Sequence, residues 1–178
     1  MKNSELLTNI ISTLEDNHIN LYHDISKEQL NNYITNLDDI DSWDNKRFDL
    51  EMLKLFHLFK DAHTSYFIPY KSLDQKLFYF DNKCYISIDD VYHEVKSICG
   101  MSIPALSNTL TSLANYETNE WATVVVNRLI RNGYTYEMLG CYDNGIDIVY
   151  DTGKVVATIT DNLQVKSQCP YSVHNDGK

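Results

Sequence analysis

Glycine and proline are scarce in this chain, which has six glycines and three prolines among 178 residues. A phosphate-binding loop needs closely spaced glycines, because backbone amides must approach the phosphate without Cβ atoms in the way. The G-x-S-x-G and H-E-x-x-H sequences are missing as well, which removes the nucleophile elbow and the zincin helix. These absences exclude a nucleotide-binding loop and two common hydrolase motifs, and they make long flexible loops unexpected.

Lysine and arginine are also few, with 15 residues against 25 of aspartate and glutamate and a formal net charge of -10. The densest basic stretch is the pair Lys46-Arg47. A nucleic-acid surface needs clustered positive charge, and an anionic membrane surface attracts the same residues. The composition therefore argues against a nucleic-acid partner and against binding to an anionic membrane.

Long apolar runs are missing too. No stretch of about 18 apolar residues occurs, so the sequence predicts no membrane span. Residues 1–5 lead into an amphipathic pattern rather than an apolar core, and a signal peptide is not predicted. These features leave the compartment open.

The cysteines lack the close pairing that typifies metal and redox motifs. Cys84, Cys99, Cys141 and Cys169 form no C-x-x-C sequence. Four cysteines allow two disulfides, but a chain of this length and apolar content does not need them for stability. We therefore expect free thiols.

Apolar residues recur at helical spacing through residues 1–68, where we predict a cluster of helices. The pattern Ser26-x-x-Gln29 is a capping box that begins the second helix, and Ser42 is the expected start of the third. The apolar residues of the first two helices are Leu6, Leu7, Ile10, Ile11 and Leu14, and Leu30, Tyr33, Ile34 and Leu37. The third helix is apolar on much of its circumference, with Phe48, Leu50, Met52, Leu53, Leu55, Phe56, Leu58 and Phe59.

The pattern changes after Pro69, and residues 69–164 are predicted to mix strands and helices. Aromatic and β-branched runs flank Asp81-Asn82, which indicates a hairpin. Ser102 caps a helix with Pro104 in its first turn, and Thr118 caps a further helix that Gly133 ends. Two more strands are expected over 146–150 and 155–160. The fold class is therefore α+β, and residues 165–178 are predicted to be a linker.

Side chains that could carry chemistry are few, and no catalytic group or cofactor site is predicted. His18 and His23, like His57 and His63, are spaced too widely to share a helix face, so we expect no metal site.

The segment Asp61-Ala62-His63-Thr64 follows the third helix. A triad with Ser65 fails, because chain neighbours do not point at one another as a triad requires. We expect Asp61, His63 and Thr64 to be structural, with a largely buried His63 side chain that holds the helix end.

Four short stretches together resemble the carboxyl-terminal processing (tail-specific) serine peptidases. The segment Phe59-Lys60-Asp61-Ala62-His63-Thr64 is similar to the family's L-x-D-G-H-T, and Asn17-His18-Ile19-Asn20-Leu21-Tyr22 is similar to H-P-N-L-Y. The segment Ile98-Cys99-Gly100-Met101-Ser102-Ile103 is similar to the I-N-G-x-x-I turn of the family's PDZ-like domain. Finally, Glu117-Thr118-Asn119-Glu120-Trp121 is similar to a helix start in some members. Their order and spacing match the family.

The resemblance implies an N-terminal helical region followed by a PDZ-like small antiparallel β-barrel or sandwich. It also implies that the family's Ser/Lys dyad belongs to a C-terminal catalytic domain that lies later than this sequence. The chain is expected to be inactive alone and to present or gate polypeptide substrate for that domain. A parent of this kind is secreted or belongs to the cell envelope. The alternative is a stand-alone module that binds a peptide or protein.

A PDZ-like groove implies a helix beside an added peptide strand. The candidate helix is 104–114, with Leu106, Leu110 and Leu113 available for a side-chain pocket. The stretch from Ser65 to Ile98 contains no glycine, whereas a carboxylate-binding loop needs free backbone amides. An apolar helix face of this kind usually belongs to a core, and only weak binding of free peptide C-termini is expected.

Overall fold

The structure is a computed structural model that describes residues 1–160, and its first third is helical. The elements here are α1 (Asn3–Asn17), α2 (Lys27–Thr35), a 3-10 turn (Ile40–Ser42) and α3 (Asn45–His57). Ser26 and Gln29 form the predicted capping box, with each side chain bonded to the other's backbone amide at 3.1 and 2.8 Å. Asp44, rather than Ser42, caps α3 by accepting from the Arg47 amide.

These helices enclose an apolar cluster in which α3 is the central element. Its buried members are Leu7, Leu21, Ile25, Leu30, Trp43, Phe48, Met52, Leu55 and Phe59. The predicted stripes on α2 and α3 supply most of them, because residues at i, i+3 and i+4 share one helix face. The predicted helical cluster before Pro69 is confirmed in this respect.

Antiparallel strands follow. They are β1 (Ser72–Leu73), β2 (Leu77–Phe80), β3 (Lys83–Ile88), β4 (Val91–Ile98), β5 (Met101–Ser102), β6 (Ile146–Tyr150), β7 (Gly153–Ala157) and β8 (Ile159–Thr160). The main sheet has the order β2-β3-β4-β6-β7, with β5 added beside β4, while β1 pairs with β8 in a separate ribbon. The mixed α+β class is confirmed, but the sheet is not a closed barrel, because β2 and β7 end it as unjoined edges.

The predicted hairpin is β2–β3, and its turn is the Asp81-Asn82 pair. Both residues have positive φ, 50° and 57°, and Phe80 faces Lys83 directly across the turn. Aspartate and asparagine tolerate the left-handed conformation that a two-residue hairpin turn demands. This turn sets the register that buries Leu77 and Tyr79 and exposes the alternate residues of β2.

Three helices cover one face of the main sheet: α4 (Ile103–Thr111), α5 (Asn119–Ile130) and α6 (Gly133–Met138). The Ser102 and Thr118 side chains cap α4 and α5 as predicted. Gly133 was expected to end α5, but it begins α6 instead, and a Cβ there would lie 2.6 Å from the Ile159 side chain. Close packing, rather than a helix stop, explains this glycine.

Helix α3 joins the helical cluster to the sheet. Its Leu53 is buried in the apolar cluster of the sheet, and its Asp49 accepts from the hydroxyls of Tyr66 and Tyr134 at 2.6 and 2.7 Å. Helices precede Pro69 and strands follow it. The division into separate units at residue 69 stays a prediction.

The cysteines, the predicted linker and the absence of a membrane span were also subjects of prediction. Cys84, Cys99 and Cys141 are free thiols, whereas Cys169 and the predicted linker 165–178 lie outside the described residues. Within residues 1–160, no helix combines the length and apolar character needed to cross a bilayer.

Asn132 connects the chain after Pro69 to the start of α6. Its amide oxygen accepts from Lys71 N at 2.9 Å and from Tyr134 N at 3.1 Å, and its amide nitrogen donates to Pro69 O at 2.8 Å. The residue is 3% exposed. One side chain therefore caps a helix and pairs two further backbone groups.

We expect Asn132→Ala to lower the free energy of unfolding by about 2–4 kcal/mol, because the cap is lost and buried backbone groups lose their partners. Urea titration measures this. The control is Asn17→Ala, whose exposed amide bonds only the Thr13 carbonyl of its own helix and should change stability by less than about 0.5 kcal/mol. Equal effects of the two substitutions would contradict the role given to Asn132.

Candidate functional site

The candidate site is built around Asp61, in the loop that follows α3. The helix ends at His57, and Lys60 turns the chain with a left-handed φ of 50°. This turn directs Asp61 back toward the molecule, where the residue is 9% exposed. A carboxylate this buried requires several donors to replace its water.

Three donors surround the Asp61 carboxylate. Oδ2 accepts from the Thr64 hydroxyl at 2.7 Å and is 2.6 Å from His18 Nε2. Oδ1 accepts from the His63 backbone amide at 2.9 Å. These contacts tie the loop after α1 to the loop after α3, and the structural role expected of Asp61 and Thr64 stays a prediction.

The predicted burial of His63 is wrong. Its side chain is 89% exposed, with Nδ1 at 3.3 Å from Asp61 Oδ1 and 3.6 Å from Glu117 Oε1. His18 is the more enclosed of the two histidines beside Asp61, with a side chain that is 20% exposed. Asp61 takes the interior position, and His63 contributes its backbone amide rather than its ring.

The hydrogen bonds decide the ionisation of Asp61. Burial by itself would raise the pKa of this carboxyl, but the bonds from His18, Thr64 and the His63 amide outweigh burial and hold the pKa well below its usual range. Asp61 is therefore a carboxylate at neutral pH, with its charge fixed in place.

Asp61, His63 and Glu117 form the one group of three potential metal ligands found within residues 1–160, with ligand atoms within 4.8 Å of one another. A divalent ion prefers such oxygen and nitrogen atoms. The Asp61 oxygens already accept hydrogen bonds, however, and Glu117 Oε1 accepts from the Ala62 amide at 3.2 Å. The three side chains therefore already have hydrogen-bond or close contacts within the loop and to the start of α5.

The groove candidates on α4 are placed in the core. Leu106 and Leu110 are fully buried and Leu113 is 3% exposed. The three side chains pack in the apolar cluster of the sheet. Leu113, which lies just past the end of α4, also lines a cavity of about 90 Å³ beside Phe67 and Trp121. The apolar spacing of the three leucines is that of a core helix face.

The helix that lies beside a sheet edge is α5. Within residues 1–160, strand β2 pairs only with β3 in the main sheet, and on its other side the Tyr79 amide donates to Asn127 Oδ1 of α5 at 3.0 Å. Because the pairing direction alternates along an antiparallel strand, the backbone of Leu77 faces the same side. This neighbourhood of β2 and α5 was not predicted, since no sequence signal relates residues 48 positions apart.

A cleft of about 320 Å³ opens where β2 begins and α5 ends. Its lining includes Tyr70, Gln75, Lys76, Leu77, Phe78 and Arg131. Lys76 and Arg131 are exposed at its rim, which makes it a locally basic site on an acidic protein. A carboxylate beside the free edge of β2 would meet both cations and the outward-facing backbone of Leu77.

Comparison with models of known families, with curated proteins and with solved structures finds no match in any of the three. The resemblance to the carboxyl-terminal processing peptidases therefore stays a prediction.

The two histidines beside Asp61 provide a matched test. We expect His18→Ala to lower the free energy of unfolding by about 1–3 kcal/mol, because it removes a half-buried partner of a buried charge. The control, His63→Ala, should cost less than about 0.5 kcal/mol, since the ring is exposed. Chemical denaturation of both variants measures the difference, and a larger loss for His63→Ala would overturn this description.

A second prediction concerns the pH dependence of stability. The folded pKa of Asp61 is lowered, so this carboxylate stabilises the fold above its unfolded value of about 3.9, and the contribution is lost as pH falls toward the folded pKa. Asp61→Asn should therefore be less stable than the wild type at neutral pH, and the difference should shrink below about pH 4.

Denaturant unfolding between about pH 2 and pH 7 measures that difference. The control is Asp38→Asn, an exposed carboxyl, which should stay within about 0.5 kcal/mol of the wild type throughout. A difference for Asp61→Asn that is constant across the whole range would contradict the prediction.

Proposed function

We propose that this chain is the non-catalytic N-terminal portion of a serine peptidase of the carboxyl-terminal processing family. Its role is to present or gate polypeptide substrate for a Ser/Lys catalytic domain. The observation that carries the role is the cleft between β2 and α5, where a basic rim adjoins a strand edge.

The contacts around Asp61 support the family assignment. Three of the stretches that resemble the family are distant in sequence but meet there: His18 contacts Asp61 at 2.6 Å, and the Ala62 amide donates to Glu117 at 3.2 Å. A resemblance by chance would not require these stretches to be neighbours in space. The contacts between them mean that the three stretches pack together at one place in the structure.

The turn that resembles I-N-G-x-x-I also has suitable geometry. Cys99 and Gly100 both have positive φ, 51° and 73°, and they connect β4 to β5. Asparagine and glycine are the residues that most readily adopt this conformation. The family's Asn-Gly pair thus suits the backbone found here, and Cys99 occupies the asparagine position under some strain.

The β2–α5 cleft offers the elements of strand addition. An incoming chain end can pair with the outward backbone of Leu77, while Lys76 and Arg131 attract its carboxylate. Beyond Leu77 the edge is covered, because Asn127 already bonds the Tyr79 amide. A longer peptide must displace that bond, so binding of a free peptide is weak.

The alternative is a stand-alone module that binds a peptide or protein. Apolar side chains on the β2–β3–β4 part of the sheet favour this reading: Phe80 is 73% exposed, Tyr92 65% and Val91 55%. Phe78 and Tyr92 pack edge to face at 5.5 Å. This surface differs from the cleft, so the two functions predict different binding residues.

We expect peptides with an apolar C-terminal residue to bind with a dissociation constant above about 100 μM, equivalent to less than about 5.5 kcal/mol. Amide NMR titration should show saturable shifts in β2 and at the end of α5. Charge reversal by Lys76→Glu and Arg131→Glu should abolish them, because both cations face the carboxylate.

The matched control is Lys46→Glu on α3, an exposed lysine that does not line the cleft, which should leave the shifts unchanged. Peptides that end in an amide should bind less than those with a free carboxylate. The absence of saturable shifts at millimolar peptide would refute presentation by the cleft, and shifts confined to Phe80, Val91 and Tyr92 would favour the alternative.

A further inference from the structure

Two cysteines that are distant in sequence lie side by side. Cys99 is in the β4–β5 turn, and Cys141 follows α6. The Cys99 thiol donates to the Cys141 carbonyl oxygen at 3.3 Å. Both residues are partly exposed, whereas Cys84 is fully buried.

The backbone holds each cysteine in its place. The Cys99 amide donates to the Asp147 carbonyl of β6 at 2.8 Å, and the Cys141 amide donates to the Tyr136 carbonyl of α6 at 2.9 Å. Left-handed turns at Gly100 and Gly140 adjoin the two residues. The thiols are therefore neighbours because two separate turns are fixed, not because a mobile loop brings them together.

The two thiols have unequal acidity. A side-chain hydrogen bond from Cys99 lowers the pKa of Cys141, and the same bond, together with burial, raises the pKa of Cys99. Cys141 therefore ionises more readily than Cys99. In a thiol pair of this kind, the more readily ionised cysteine attacks a disulfide first and the other cysteine resolves the mixed disulfide.

We propose that Cys99 and Cys141 are a redox-active thiol pair, which a low-molecular-weight disulfide converts into an intramolecular disulfide bond. This site is independent of the proposed peptide cleft and of the Asp61 contacts.

The chemistry is two successive exchanges. The Cys141 thiolate attacks one sulfur of the small disulfide, the S–S bond breaks, and one small thiolate leaves. The Cys99 sulfur, after giving its proton to solvent, attacks the Cys141 sulfur of the mixed disulfide and expels the second small thiolate. The protein loses two electrons and two protons, and the small disulfide is reduced to two thiols.

The second exchange needs no further reagent, because the Cys99 thiol lies beside Cys141, within hydrogen-bond distance of its carbonyl oxygen. The resulting cross-link encloses α4, α5 and α6 in one covalent loop, which restricts the unfolded chain.

Cys84 is an internal control. It is fully buried, and burial raises its pKa to about 12. A thiol in this setting is neither accessible nor ionised, so it should not react under conditions that oxidise the pair.

The test treats the full chain with oxidised glutathione, blocks the remaining thiols with N-ethylmaleimide and digests with trypsin without reduction. The four cysteines fall in separate tryptic peptides, 84–96, 97–128, 132–154 and 167–178. We expect peptide 97–128 to be joined to 132–154, while 84–96 carries the alkylating reagent. A Cys169→Ser background removes the fourth thiol from competition.

Two variants assign the roles of the sulfurs. Cys99→Ser should stop with one glutathione on Cys141, and Cys141→Ser should slow the reaction of Cys99 about tenfold or more, because the better thiolate is gone. The proposal is overturned if the 97–128 and 132–154 peptides remain separate. It is equally overturned if Cys84 reacts as fast as Cys141, or if Cys99 in the Cys141→Ser variant reacts at the wild-type rate.

Discussion

The buried carboxylate of Asp61 is the interaction on which the helical part of the structure depends. An ionised side chain inside a protein is stable only when donors replace its hydration. Here the donors come from His18, Thr64 and the His63 amide, so the loops after α1 and α3 must both be in place. Through Ala62 and Glu117 the same loop also reaches the start of α5. One charge thus couples segments that are far apart in the chain.

Two sets of hydrogen bonds position the elements that line the cleft. One set joins α3 to α6, and the other is made by Asn132. Asp49 binds the hydroxyls of Tyr66 and Tyr134, and burial with these bonds raises the pKa of both tyrosines. Asn132 fixes the chain after Pro69 to the first turn of α6. Asn132, which follows α5, therefore fixes the segment that leads into β2. The walls of the cleft are held in place by these hydrogen bonds.

Local chemistry was predictable, and it accounts for much of the fold. The capping box at Ser26, the capped helix after Ser102 and the hairpin turn at Asp81-Asn82 each depend on residues within a few positions. The site was predicted only in part. Asp61 and Thr64 do contact one another, but the His63 ring is exposed and His18 is the more enclosed histidine beside Asp61. Adjacent side chains in a turn point in different directions, and sequence alone does not show which one faces inward.

Sequence alone was enough for the α+β class, for the helices before Pro69 and for the β2–β3 hairpin, because the spacing of apolar residues and the capping and turn residues act locally. Only the tertiary structure decided that α5 rather than α4 borders the free edge of β2, that Tyr79 meets Asn127, and that Cys99 lies beside Cys141. These contacts join residues more than 40 positions apart. Their formation depends on how whole elements pack, and no short segment of the chain contains the information that selects one packing over another.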